Sequence, residues 1–221
     1  MVFQVKGFWK HLLVELVGVI LLSIGGAGIM KVGLGNSAYD AFSMSISLLT
    51  KLEVGTVATI INLSCVVFQM ILLKRDYKPL YALQILVVLL IGYVVNLFYY
   101  HIFAALEPAS YGQAVGWFLF FVFVDIIGVS LVVASGMIGI ALESASIVFA
   151  KKYKFRFTSI RYLVDFFFFV VVFLLWSLFK IPLTLREGTI FLMLVFSPSV
   201  GAIVHWFRPI LHKWIQEESA V

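Results

Sequence analysis

The chain has 221 residues, of which 63% are hydrophobic and only 12% charged, with a mean hydropathy of +1.11. An ordinary soluble domain carries about twice that charged fraction, so composition excludes one. The net charge of +5 suits a nucleic-acid binder in amount but not in placement, and no nucleic-acid partner is expected.

Six stretches approach the roughly 20 apolar residues needed to cross a hydrocarbon core. The first, Leu12–Met30, follows Lys6 and Lys10 and is longer than the apolar run of a signal peptide, so it reads as a retained span. Glu15 stands near its start beside Lys10 and His11 and is expected near the interface. The cluster Gly25-Gly26-Ala27-Gly28 reads as close helix packing or a bend.

A long semi-polar segment follows, from Lys31 to Glu53. Gly33 and Gly35 break the helix, and a new one is expected near Ser37, with Asp40, Ser43, Ser47 and Thr50 on one face. Alternating Ser and apolar residues from Phe42 to Leu48 also resemble a strand, but an unpaired strand at membrane depth leaves its backbone unsatisfied. Ser37-x-x-Asp40 has capping-box spacing.

The second span, Val54–Leu73, holds Asn62 and the lone Cys65, so no intrachain disulfide is expected. The third is Leu80–Tyr100. The fourth, Ala114–Ala134, carries Asp125 midway. A second semi-polar segment runs from Ala134 to Arg156, with Gly136, Glu143 and Ser146 followed by a basic stretch from Lys151. The fifth span, Thr158–Phe179, places Arg161 one turn before Asp165. The sixth, Gly188–Phe207, contains Pro198, which is expected to kink it. Tyr99, Tyr100, Trp206 and Trp214 read as interfacial belts. The four histidines have no metal-site spacing, and no cofactor is expected.

The chain matches itself at an offset of 103 residues without a gap. Gly25 falls on Gly128, Gly33 on Gly136, Asp40 on Glu143, Asn62 on Asp165 and Pro79 on Pro182. Identity is low, with only Ala38, Ser43 and Lys51 matched between Ala38 and Leu63, yet the rare residues share one register. Three spans per half put the second copy upside-down, the inverted repeat of many secondary transporters. The expected fold is an all-α polytopic membrane protein. It has six transmembrane helices as a 3+3 inverted repeat (residues 1–103 and 104–221) and two broken, re-entrant segments. With a cytoplasmic N-terminus, twelve Lys/Arg fall inside and only Lys31, Lys51, Lys180 and Arg186 outside. That positive-inside bias predicts a multi-pass cell-membrane protein with both termini cytoplasmic.

An ionisable group at the bilayer centre costs at least ~2.5–3.5 kcal/mol, so each one needs a reason. The candidate substrate- or ion-binding residues are Asn36, Tyr39, Asp40, Asn62, Asp125, Glu143, Arg161 and Asp165. Each also has a plainer reading. Arg161 and Asp165 can neutralise each other, Asp40 can cap its helix, and Asn62 can serve as an interhelical hydrogen bond. Glu143 lacks a capping serine, since Ile140 stands where Ser37 does. Asp125 has no partner in its own helix and is the best single candidate for a proton or cation site.

With those residues in hand, Gly33-Leu-Gly35-Asn-Ser-Ala-Tyr39-Asp40 and the Ser-rich helix after it resemble the first signature of YczE/YitT-type bacterial membrane proteins, approximately Gly-x-Gly-x-x-Pro-Trp-Asp. The second half of such proteins has a Gly-rich break ending in an acid, a span led by Arg, and a last span opening with Gly-Thr and containing Gly-Pro. Gly136 to Glu143, Arg161, Gly188-Thr189 and Ser197-Pro198 match those positions. Ala38, Tyr39, Glu143 and Ser197 depart from the pattern. The resemblance implies this architecture more than any particular chemistry.

The function expected is a small secondary transporter or exporter of an unidentified small molecule, proton-coupled through the buried acids. The alternative is a non-transporting accessory or substrate-capture membrane subunit. An enzyme is not expected, because Asp125 and Asp165 lack the Gly-x-Gly-Asp signature of intramembrane aspartyl proteases and no other catalytic motif is present. The lipid bilayer is the expected partner, with a homodimer or a partner membrane complex left open.

Overall fold

The computed structural model describes residues 7–74 and 82–216. Lys6, Arg75, Lys78, Pro79 and the expected start of the third span at Leu80 lie outside the described residues. Among those described there are helices and no strands: α1 (Phe8–Val32), α2 (Ala38–Thr50), α3 (Val54–Leu73), α4 (Leu83–Asn96), α5 (Tyr111–Ser135), α6 (Ala141–Tyr153), α7 (Phe157–Phe179) and α8 (Glu187–Gln216). Six of them are long and apolar enough to cross a membrane: α1, α3, α4 with its continuation to Ile102, α5, α7 and α8 as far as Leu211. α2 and α6 are the short helices expected inside the two semi-polar segments.

The helix ends follow local chemistry. Gly33 closes α1 in the left-handed conformation, its N–H donating to Ile29 O at 3.3 Å. Ser37 opens α2, with Oγ accepting from Asp40 N at 3.2 Å and donating to Asp40 Oδ2 at 2.6 Å. Ser110 caps α5 through Gln113 N, and Gly136, also left-handed, ends it. α6 opens at Ile140 with no side-chain cap, as the missing serine implies. α5, α6 and α7 begin at 111, 141 and 157, each 103 residues after α1, α2 and α3 at 8, 38 and 54.

α4, α1, α5 and α8 pack side by side in that order, while α2 and α6 each join α3 and α7 in a second group. α3 also packs along α4 and closes one edge between the two groups. The central pair is antiparallel: from Gly18 to Gly28 along α1, the contacts retreat along α5 from Val132 to Phe121. Glycine makes that approach possible. A Cβ on Gly25 meets the backbone of Asp125 at 2.6 Å, and one on Gly128 meets the backbone of Leu22. Small residues at such crossings let helix backbones approach closely in lipid, where hydrophobicity alone drives no association.

Two features go beyond what was expected. α4 continues as a π-helical turn, Leu97–Ile102. It brings the Tyr100 hydroxyl to Val54 N at 3.1 Å and Tyr99 beneath the Lys31 ammonium. Glu15, near the start of α1, is fully buried in the protein at 0% exposure. Its carboxylate accepts from Ser135 Oγ and, at 3.1 Å, from Gly139 N, so it holds the break between α5 and α6 against α1. One turn of helix beyond His11 carries it to the face packed on α5.

Candidate functional site

Asp40 and Glu143 are the third residues of α2 and α6, each at the N-terminal end of a short helix where the backbone presents unpaired N–H groups. Both ends point to one place. Arg161, one turn into α7, forms an ion pair with Asp165 (Nη1–Oδ1 2.9 Å) and approaches Glu143 (Nη2–Oε1 3.8 Å). Its charge also acts on Asp40. Asp125, on α5, lies close enough for the charges of Asp40 and Glu143 to act on it.

Tyr39 and Asn62 form one wall. Asn62 Nδ2 donates to the Tyr39 hydroxyl at 2.6 Å and to Ala58 O at 3.0 Å, and the hydroxyl donates to Ala58 O at 3.1 Å. The Tyr39 ring packs edge-on against Phe168. Burial pushes the Tyr39 phenol up, so it stays a neutral hydrogen-bonding group. Ser43, one turn on from Tyr39, is buried.

Three acceptor atoms around this space have no protein partner: Ser43 Oγ, Asn62 Oδ1 and Glu143 Oε2. One donor, Arg161 Nη1, is in ionic contact with Asp165 without an aligned hydrogen bond. Buried polar atoms are nearly always partnered, so a group of unpaired ones marks where water or a ligand completes the structure. The side chains of Arg161, Glu143 and Asp165 stay 29%, 36% and 27% accessible. They line an open crevice rather than a packed core.

Burial pushes the Asp40 and Glu143 carboxyls above the ordinary carboxylate range, with the Ser37 hydrogen bond and Arg161 opposing it at Asp40 and Arg161 at Glu143. Four carboxyl groups thus share this region with a single guanidinium, which pairs with Asp165 and approaches Glu143. Were all four ionised, the cluster would carry an excess charge of about −3. At a minimum of ~2.5–3.5 kcal/mol for each uncompensated charge, that excess would consume most of the 5–15 kcal/mol stabilising a typical fold. Protonation of some of these carboxyls relieves that excess.

Seven of the eight residues expected at a site therefore converge: Tyr39, Asp40, Asn62, Asp125, Glu143, Arg161 and Asp165. Asn36 stands apart. It is buried in the connection before α2, with Nδ2 donating to Thr184 O at 3.1 Å and its backbone N–H to Thr189 Oγ1 at 3.2 Å. It serves to hold the α7–α8 connection over the break, together with Arg186 Nη1 on Gly33 O and Gly188 N on Leu34 O, each at 2.8 Å. The other break is held by buried Gln69 and Gln84, which bond each other and donate to Ala141 O and Gly139 O. Sequence reasoning passed over both glutamines. Amides inside apolar spans were the available signal. Ser43 was read only as part of a polar helix face.

Six long apolar helices around a buried polar cluster define a multi-pass membrane protein. The chain belongs to DUF6198, a family of unknown function, which it matches over residues 9–209. No curated protein and no solved structure matches it.

Proposed function

We propose that this protein is a small secondary transporter of the cell membrane, built as two inverted three-span repeats with both termini cytoplasmic. The acid cluster is its cation- or proton-coupling site. The observation that carries the reading is the pairing of Arg161 with Asp165 and its approach to Glu143, with two further acids, Asp40 and Asp125, close enough to interact with this group, an excess of acid that a purely structural ion pair does not need.

The repeat reading draws support from contacts as well as sequence. Gly25 against Asp125 and Gly128 against Leu22 are one contact made twice, since 22 and 125, like 25 and 128, lie 103 apart. α1 packs on α4 as α5 does on α8, and α2 on α7 as α6 does on α3. In this reading α2 and α6 are re-entrant from opposite faces, their N-terminal ends meeting near the midplane as the half-helices of transporters do. The resemblance of the Gly33–Asp40 signature to YczE/YitT-type proteins agrees with it. Alternating access is a rocking of one repeat against the other about the α1–α5 crossing, with the acids exchanging cations as they face each side. No covalent chemistry is required of them.

The test is flux in proteoliposomes enclosing a pH-sensitive dye, challenged with a panel of small metabolites under an imposed pH gradient. The wild-type chain should couple at least one solute to proton movement, and Asp125→Asn should abolish the coupling while the protein remains monodisperse. Coupled flux that survives Asp125→Asn removes that residue from the mechanism. A chain that moves nothing, but co-purifies with another membrane complex, is an accessory subunit instead.

A further inference from the structure

The two halves differ at one seam. α3 is sealed against α4: Gly55 and Gly92 approach so closely that neither has room for a Cβ. Asn96 accepts from Gly55 N at 2.7 Å and donates to Glu53 and Thr56. At the corresponding positions, α7 and α8 carry Thr158 for Gly55, Tyr162 for Thr59 and Val195 for Gly92. These side chains forbid the close approach, and α7 and α8 form no comparable interface. Exposure records the result. Val54, Val88 and Ile91 at the sealed seam are 2%, 1% and 9% exposed, whereas Phe157, Phe191 and Leu194 in their places are 40%, 37% and 70%.

Behind the open seam stand α2, packed on α7, and α5, packed on α8. These carry Asp40 and Asp125. One end of the seam is covered by the 180–189 connection, where Thr184 Oγ1 donates to Ala41 O at 3.0 Å and pairs with Ser45 Oγ. The remaining opening lies toward the end of α7 that begins at Phe157, beside Arg161 and Asp165. On this side of the acid cluster, between α7 and α8, no helix-helix interface closes the bundle.

We infer that the crevice takes an amphipathic organic cation, a positively charged head on an apolar body, which enters laterally from the bilayer between α7 and α8. This rests on reading the acid cluster as a ligand site, and it adds the class of ligand. The head is cationic because four carboxyl groups oppose one guanidinium and because the unpaired buried atoms Ser43 Oγ, Asn62 Oδ1 and Glu143 Oε2 can all accept. An anion would meet Arg161, which Asp165 already neutralises, and the amide ends of α2 and α6, whose first turns already carry Asp40 and Glu143. The body is apolar because the route is. Phe157, Tyr162, Phe191 and Leu194 border it, and aromatic faces attract alkylated or delocalised cations. A small hydrated cation gains nothing from such a rim and would have to shed its water in lipid to use it.

The experiment uses the full chain in nanodiscs with radiolabelled tetraphenylphosphonium as the probe. Saturable binding is expected. It should be displaced by other apolar cations but not by tetramethylammonium, which lacks the body, nor by tetraphenylborate, which has the wrong sign. Asp125→Asn should weaken it about tenfold or more. Because that variant alters the bundle centre, the route is tested separately in a Cys65→Ala background. Attaching pyrene maleimide to Leu194→Cys should weaken binding about tenfold. The same label on Phe173→Cys should have no effect, since its counterpart Met70 is exposed in the other half too. Absence of saturable binding overturns the inference, even if proton-coupled flux of a hydrophilic solute is found, in which case the transporter reading stands alone. Binding indifferent to the Leu194 label overturns the lateral route. Binding with both effects supports the inference even where no flux occurs, and then it is the transporter reading that falls.

Discussion

Adding one methyl group at Gly25 tests the packing that positions Asp125. A Cβ there lies 2.6 Å from the backbone N and Cβ of Asp125 and 2.7 Å from its Cα. An unstrained carbon contact needs 3.5–4.0 Å, so α1 and α5 must part by roughly 1 Å. None of the three atoms is the free end of a flexible side chain, and the strain spreads through the longest interface in the bundle. Overpacking of this kind costs about 1–3 kcal/mol. Gly26 is the internal control, because a Cβ there meets nothing within 4 Å. Gly26→Ala therefore keeps the gain of up to ~1 kcal/mol that alanine brings to a helix interior. At about 2–4 °C per kcal/mol for a chain of this size, Gly25→Ala should lower the thermal midpoint by about 2–12 °C. Gly26→Ala should leave it unchanged or raise it slightly. The assay is size-exclusion survival after heating in one detergent, run on both variants in parallel. Equal midpoints for the two alanine variants would refute the close crossing and with it the placement of Asp125.

Two further outcomes follow from the buried acids. Glu15→Ala removes the acceptor for Gly139 N and leaves a cavity. The loss should be about 2–4 kcal/mol, and hydrogen exchange at the 136–140 amides should accelerate, whereas Glu15→Gln, which keeps one carbonyl oxygen, should lose much less. An unchanged Gly139 exchange rate in the alanine variant contradicts the pinning role. The pH dependence has a definite sign. The folded-state values of Asp40 and Glu143 are raised by burial, so between the unfolded value of about 4 and the folded one the native state holds more protons. Their contribution therefore favours the fold at low pH and is lost as pH rises through that window. Asp40→Asn with Glu143→Gln should flatten the thermal midpoint between pH 4 and 8, and an unaltered slope means that these carboxyls are not the titrating groups.

Much of this was legible because lipid leaves few options. Each span must be long and apolar, and the boundaries of α3 follow from Val54–Leu73 alone. Ser37 announces α2, and Gly33 and Gly136 announce the breaks, because capping and left-handed turns are local chemistry. Arg161 and Asp165 are visible as a pair from their spacing. Distances across the bundle were not legible. Nothing local says that Glu143 on α6 reaches Arg161 on α7. The partners of Glu15 were hidden for the same reason, since Ser135 and Gly139 lie 120 and 124 residues away. The π-helical turn at Leu97–Ile102 has no signal of its own in a run of aromatics.

On the repeat reading proposed above, the open seam is a place where the two halves differ in packing without differing in plan. Gly55 and Gly92 in the first half let backbone meet backbone, and the Asn96 side chain then has a fixed place. Substituting Thr158 and Val195 at those positions needs no new interaction: bulk alone holds α7 and α8 apart. The central acid is likewise present once, since Asp125 has Leu22 as its counterpart, although the glycine contact beside each is the same. A protein with two equivalent seams and two equivalent acids would present the same surface to lipid on both sides. Here the difference in seam packing and the difference in charge fall on the same side of the bundle. Asp125 lies on α5, which packs against α8 at the open seam, and Leu22 lies on α1, which packs against α4 at the sealed one. If the open seam were only a fault in packing, it would have no reason to coincide with the acid. Exchanging the two features separately therefore distinguishes them. Thr158→Gly with Val195→Gly should draw α7 toward α8 and protect Leu194→Cys from a lipid-soluble maleimide, while Leu22→Asp with Asp125→Leu moves the charge to the closed side and leaves that labelling unchanged.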